Sequence, residues 1–187
     1  MAETLFISDL HFGHKNALAF DNRPFSTIEE HDSKIIEGWN DAVKPEDTVW
    51  ILGDISWHKS TDTVEIFKKL NGHKRLVKGN HDDKLLRNPD VRDQFEEVCE
   101  YKELRLDNGR KLVLCHYPIP CFRDHYYGAY HLYGHVHNGF EHHMMEHVKH
   151  DMTHLYDKPC NMYNVGCMMP YIRYAPRTLE DIVAACE

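Results

Sequence analysis

Apolar residues in this chain gather in short runs that stop abruptly at a polar element. Five such runs, rich in Val, Ile, Leu, Tyr and Phe, have strand character: Leu5–Ile7, Val49–Leu52, Arg75–Val77, Leu112–Cys115 and Tyr130–Tyr133. A sixth, Met162–Val165, precedes Gly166. The runs are nearly continuous rather than alternating, as expected of strands covered on both faces. Between the first two, Ile28, Ile35, Ile36, Trp39 and Val43 recur at helical spacing, and Ser26 with Glu29 predicts a capping box at the helix start. A second helix is expected from Ser60 to just before Gly72, with Val64, Phe67 and Leu70 inward. Residues 83–96 read as helix interrupted by Pro89, and Thr178 to Asp181 opens a short final helix carrying Leu179, Ile182 and Val183.

Strand–helix alternation in the first half predicts α/β units with a parallel portion. After residue 97 the Asn108-Gly109 pair predicts an antiparallel hairpin. A mixed-sheet sandwich flanked by helices satisfies both halves. The 187 residues fit one domain, with an irregular insertion at about 138–160. Inside that insertion His143, His147, His150 and His154 fall on one helical stripe, with Met144, Met145, Val148, Met152 and Leu155 on another. His142 adds a fifth histidine there. The expected reading is a solvated face of an amphipathic helix, because no Cys or acid completes a metal cage.

Each run hands over directly to a metal-ligand type. Asp9 and His11 follow the first, Gly53-Asp54 the second, Gly79-Asn80-His81-Asp82 the third, His116 the fourth and Gly134-His135-Val136-His137 the fifth. Ligands in α/β sheets bind beyond the carboxyl ends of strands, so these segments are expected to meet on one rim. The glycines ahead of them permit the close backbone approach a crowded site needs. Two Asp, one Asn and four His are the donors expected of two divalent cations. Asp54, in the middle of the set, is the natural bridging carboxylate. One cation is assigned Asp9, His11, Asp54 and His137, and the other Asp54, Asn80, His116 and His135. Two cations, two carboxylates and a bridging hydroxide leave about +1, which suits an anionic phosphate ester. Manganese, iron, nickel, cobalt and zinc all accept such donors.

The series D-x-H, G-D, G-N-H-D, H, G-H-x-H, running from residue 5 to 137, resembles the calcineurin-like metallophosphoesterases. The strings from Phe6 to Asn16 and from Asp21 to Phe25 resemble a small bacterial and phage-type subgroup. The resemblance implies a four-layer αββα sandwich, a dinuclear centre and in-line attack of a metal-bridging hydroxide, and it supports the ligand division above. It also implies that His81 is not a ligand but faces the phosphate, with Asp82 expected to orient its imidazole or raise its pKa. His14, one turn past His11, is expected either to touch a phosphate oxygen or to cap the next helix. Arg123, after the His116 loop, is a second candidate for the phosphate, Asn80 a third, and Arg23 is read as structural.

A net charge of −8 without a Lys/Arg block disfavours long contact with nucleic acid. No run approaches the ~20 apolar residues of a membrane span, and the first residues lack signal-peptide character. Six cysteines without a C-x-x-C pair read as reduced core thiols, so the expected compartment is the cytoplasm. The expected activity is hydrolysis of a small phosphodiester or nucleotide. The alternatives are a nuclease of the same superfamily and a phosphomonoesterase or protein phosphatase. A metallo-β-lactamase reading fails, since His137 is followed by Asn138-Gly139-Phe140 rather than by the second half of that motif.

Overall fold

The computed structural model describes residues 2–186. The first sheet takes β1 (Thr4–Ile7), β2 (Thr48–Ile51), β3 (His73–Val77) and β4 (Glu97–Cys99) as parallel neighbours, and β9 (Arg177–Thr178) pairs antiparallel to β1. The second contains β5 (Tyr101–Arg105), β6 (Lys111–Cys115), β7 (Tyr130–Tyr133) and β8 (Met162–Asn164) in that order. β5 and β6 form the expected hairpin, with Gly109 at φ 83°, a left-handed value that its missing Cβ allows. β6, β7 and β8 run parallel, so the second half is more than a hairpin.

Strand ends are level with one another. Ile7 pairs with Ile51, and Ile51 with Leu76, so the loops carrying Asp9, Asp54 and Asn80 leave the first sheet side by side. In the second sheet Leu114 pairs with Leu132, which aligns the exits toward His116 and His135. The two rims are joined where Ser8 bridges Gly166: the Ser8 N–H donates to Val165 O at 2.8 Å, and the Cys167 N–H donates to Ser8 O at 2.8 Å.

Both faces of the second sheet are covered, as the continuous runs require. Leu112, Leu114 and Leu132 join Phe6, Ile51, Trp39 and Leu179 in one core cluster, whereas Val113, Tyr133 and Met162 belong to another. That period of two places alternate residues on opposite faces. The second cluster is closed by Met145, Val148 and Met152 of α6 (Phe140–Tyr156). The 138–160 segment is therefore mostly a 17-residue helix rather than irregular. Its histidine stripe (143, 147, 150, 154) faces solvent, but Met144 and Leu155 are exposed as well, so the buried stripe is narrower than expected.

The remaining helices are α1 (Lys15–Phe20), α2 (Ile28–Ala42), α3 (Ser60–Phe67), α4 (Asp83–Leu86), α5 (Pro89–Arg92) and α7 (Leu179–Cys186). α2 buries Ile35 and Trp39, and the Trp39 indole N–H donates to Asn71 O at 3.0 Å. Its cap lies one residue later than expected. Thr27 Oγ1 accepts from the Glu30 N–H, and the Glu30 carboxylate accepts from the Ser26 N–H. With Thr27 as the cap, Glu30 rather than Glu29 occupies the third helical position, where a carboxylate reaches back over the helix start. Pro89 opens α5, where its missing N–H costs nothing, and Asn88 caps it. All six cysteines are free; Cys121 and Cys186 are exposed, so not all are core thiols. Among the described residues no helix is long and apolar enough to cross a membrane.

Candidate metal centre

The seven expected ligands converge. His11 Nε2 lies 3.9 Å from Asp9 Oδ1 and 3.9 Å from Asp54 Oδ2; His137 Nε2 lies 3.8 Å from Asp9 Oδ1. On the other side His116 Nε2 is 3.7 Å from Asp54 Oδ1. The Asn80 Oδ1 stands 3.0 Å from both His116 Nε2 and His135 Nδ1. Two donors bound at about 2.0–2.2 Å to one cation can stand no more than about 4 Å apart, and these separations comply. Donor atoms cluster as Asp9, His11 and His137, and as Asp9, Asp54 and His116. Asp9 thus sits closer to the second group than the sequence suggested, while the two oxygens of Asp54 face different imidazoles.

Backbone conformation singles out the same residues. Asp9, His11, Asp54, His135 and His137 all have φ between 49° and 70°. Non-glycine residues enter this left-handed region at a cost, and such strain persists where surrounding structure enforces it. Two glycines make room: a Cβ at Gly79 would collide with the Asp54 carboxylate, and one at Gly134 would approach Asp9 Oδ2 to 2.5 Å.

Asp9, His11, Asp54 and His116 are almost wholly buried, and His11 Nε2 has no hydrogen-bond partner among the described residues. A buried nitrogen left unpaired beside two carboxylates fits a cation. Its Nδ1 meets His14 Nδ1 at 3.1 Å, and His116 Nδ1 donates to Leu52 O at 2.6 Å, so both rings turn Nε2 into the centre. Burial, reinforced by Arg23, holds the His11 pKa well below its ordinary value; burial and neighbouring His116 lower that of His135. Neutral imidazole is the form that binds a cation. Burial also raises the Asp54 carboxyl to about 6, against the pull of His116. For His137 burial pulls the pKa down, but the Asp21 hydrogen bond and the charges of Asp9 and Asp21 together outweigh it and raise the pKa.

His81 stands exposed on the rim, its ring centroid 4.7 Å from that of Trp57, and its backbone N–H donates to Asp54 Oδ1 at 3.1 Å. Asp82 does not orient that imidazole. Its buried carboxylate accepts from the N–H groups of Asp54 (3.0 Å), Ile55 (2.9 Å) and Gly79 (2.7 Å). Three amide donors satisfy it fully, so it clamps the two ligand loops together instead. His14 stays beside the centre, stacked on Trp57 at 4.1 Å, and although it precedes α1 its side chain makes no capping bond. Arg123 leaves the site: it is exposed and pairs with Glu103 at 2.9 Å, because the loop after His116 carries it to the edge of the second sheet.

Arg23 is structural, as expected, but directly beneath the centre. It pairs with Asp21 at 2.8 Å and donates to Asp9 O at 3.1 Å. Asp21, which the motif reading passed over, accepts the His137 Nδ1–H at 2.9 Å. Asn164 holds the His137 carbonyl at 2.6 Å, and the Ser8 hydroxyl donates to Asp9 Oδ2 at 2.7 Å. In sequence the strings from Asp21 to Phe25 and from Phe6 to Asn16 held Asp21, Arg23 and Ser8, while nothing marked Asn164.

Comparison with known proteins places the chain in a family. An uncharacterized protein of Methanocaldococcus jannaschii is 30% identical over all of this chain and 93% of its own length. The gene 66 protein of Mycobacterium phage L5 is 41% identical over 44% of this chain and 41% of its own. A solved structure of a protein of unknown function from Aquifex aeolicus superposes with a TM-score of 0.72 and 27% identity, covering 99% of this chain and all of the other. Residues 3–178 match the model of the calcineurin-like phosphoesterase superfamily domain. The chain belongs to the calcineurin-like phosphoesterase superfamily, with the αββα architecture and the candidate metal-binding residues of that family.

Proposed function

We propose that this protein is a dinuclear metal-dependent phosphoesterase acting on a small phosphodiester or nucleotide. The observation that carries the reading is the position of Asp54, whose Oδ2 faces unpartnered His11 Nε2 while Oδ1 faces His116 Nε2. Asp9, His11, Asp54 and His137 would hold one cation, and Asp54, Asn80, His116 and His135 the other; manganese, iron, nickel, cobalt or zinc would serve. Bound cations supply Lewis-acid polarisation of the phosphoryl oxygens and a lowered pKa for the attacking water. In the reaction a water oxygen bonds to phosphorus, the P–O bond to the leaving group breaks opposite it, and the leaving oxygen takes a proton. His81, exposed above the Asp54 side, is positioned to give that proton from its imidazole. Trp57 fixes the ring's orientation from one side.

Purified protein loaded with each metal in turn should hold two cations per chain and cleave bis-p-nitrophenyl phosphate. Asp54→Ala should lose a cation and at least ~10³-fold in kcat/KM, whereas His81→Gln should keep both cations and lose ~10²–10⁴-fold in kcat. A ceiling of one cation per chain, or wild-type cleavage by Asp54→Ala, refutes the reading.

A further inference from the structure

A cleft of about 810 Å3 opens beside the centre, lined by Trp57, Lys59, Asn80, His81, Lys84 and Arg87 among others. The chain carries 30 acidic against 22 basic residues, yet three cations meet here. Among the described residues none of Lys59, Lys84 and Arg87 has a carboxylate within ion-pair distance, whereas the cleft's own acid, Asp83, is taken by Lys78 at 2.9 Å. The cleft is therefore locally basic on an acidic molecule.

Its cations are also ordered. α4 is one turn long, and the residues bounding it, Asp82 and Arg87, keep helical backbone angles. Lys84, within that turn, and Arg87, which closes it, stand three residues apart, so they are neighbours at roughly 5–6 Å between Cβ atoms. Leu85 turns inward and anchors that turn. The pair follows His81 in the chain and lines the same cleft. Lys59 approaches from the segment leading into α3. Trp57 offers little free face, since His14 stacks on it and His81 leans against it. Recognition in this cleft is ionic, and Lys with Arg together suit a phosphate.

We propose that this cleft is a subsite for a second phosphate. The substrate is then a nucleotidic diester bearing a further phosphate, of dinucleotide or short-strand type, with the scissile group at the metal centre and the next on Lys84 and Arg87. This inference rests on the phosphoesterase reading above. The test uses manganese-loaded protein and compares kcat/KM for bis-p-nitrophenyl phosphate, the thymidine dinucleotide TpT, and its phosphorylated forms pTpT and TpTp. One phosphorylated form should exceed TpT by about tenfold or more, the scale of one charge-assisted contact. The Lys84→Ala/Arg87→Ala double variant should bring that ratio to near one, and the charge-preserving Lys84→Arg/Arg87→Lys variant should keep it. A further rate increase with octathymidylate identifies a strand as the source of the second phosphate, and a plateau at pTpT a dinucleotide; either keeps the subsite. Equal rates for TpT and both phosphorylated forms, or equal losses on all substrates in the double alanine variant, overturn it while cleavage of bis-p-nitrophenyl phosphate still upholds the phosphoesterase reading. Failure of the wild type to cleave any of these substrates with each of the five metals in turn overturns both.

Discussion

The two sides of the metal centre are built differently. Around Asp9, His11 and His137 every donor has a second partner beneath it: Asp21 for His137, Ser8 for Asp9, His14 for His11, with Arg23 tying Asp21 to the Asp9 carbonyl. Across Asp54, Asn80 is exposed, and among the described residues its carboxamide oxygen is held only by His116 and His135, the residues expected to share its cation. One side is braced at every donor; on the other His116 is braced by Leu52 O, but Asn80 has no such support. Outer partners raise ligand basicity and fix ring orientation, so the braced side should bind first and release last.

The sharpest way to break this contrast is to remove the brace. Arg23→Met strands the buried Asp21 carboxylate and should cost about 3–5 kcal/mol, whereas exposed Asn80→Ala should stay within about 0.5 kcal/mol. Urea unfolding of chelator-treated protein measures both, and equal losses would erase the distinction.

A somewhat smaller effect is expected from pH, through a prop on the looser side. His131 is buried in β7; its Nδ1–H donates to Val113 O at 2.9 Å, and its Nε2 accepts from the Ile119 N–H at 3.0 Å, steadying the loop after His116. Burial lowers its pKa to about 4, so the folded protein keeps it neutral while the unfolded chain protonates near 6.5. Below 6.5 the unfolded state binds the extra proton. Its contribution is therefore intact above pH 6.5 and falls by about 3 kcal/mol as pH drops toward 4. In metal-free protein His131→Gln should flatten that slope, and an unchanged slope would remove His131 as its cause.

Smallest in free energy, but most direct, is metal affinity. Asp21→Asn should weaken the tighter cation ~10–100-fold, and Asn80→Ala should spare it while weakening the other. Calorimetric titration that finds both variants acting on the same cation would show that the two sides are one unit.

Much of this was legible in sequence because each ligand touches the end of an apolar run. Chain adjacency and spatial adjacency coincide there, as at Ile7 and Asp9 or Cys115 and His116. Where they part, reading fails. Asp82 neighbours His81 in the chain, yet its carboxylate is claimed by three amides. Arg123 follows the His116 loop by a few residues and is carried to Glu103. Asp21 escaped notice because its imidazole partner lies over a hundred residues away, and a lone Asp in a turn carries no mark of that. The left-handed backbone at the five ligands is equally silent, since Asp and His, unlike Gly, do not advertise positive φ. In the 138–160 segment the two stripes of an amphipathic helix were legible, but not how narrow the buried one is: Met145, Val148 and Met152 pack inward while Met144 and Leu155 stay exposed.

The seam at Ser8 has a consequence for biosynthesis. Asp9 leaves the ribosome well ahead of the carbonyl of Val165 and the amide of Cys167 that seat its neighbour, which emerge some 155 residues later. Vectorial synthesis therefore leaves every histidine of the centre outside the tunnel before the pocket can shut. A nascent chain stalled with residue 160 just clear of the tunnel would display the complete donor set on an unclosed framework, free to capture whichever ion the surroundings offer.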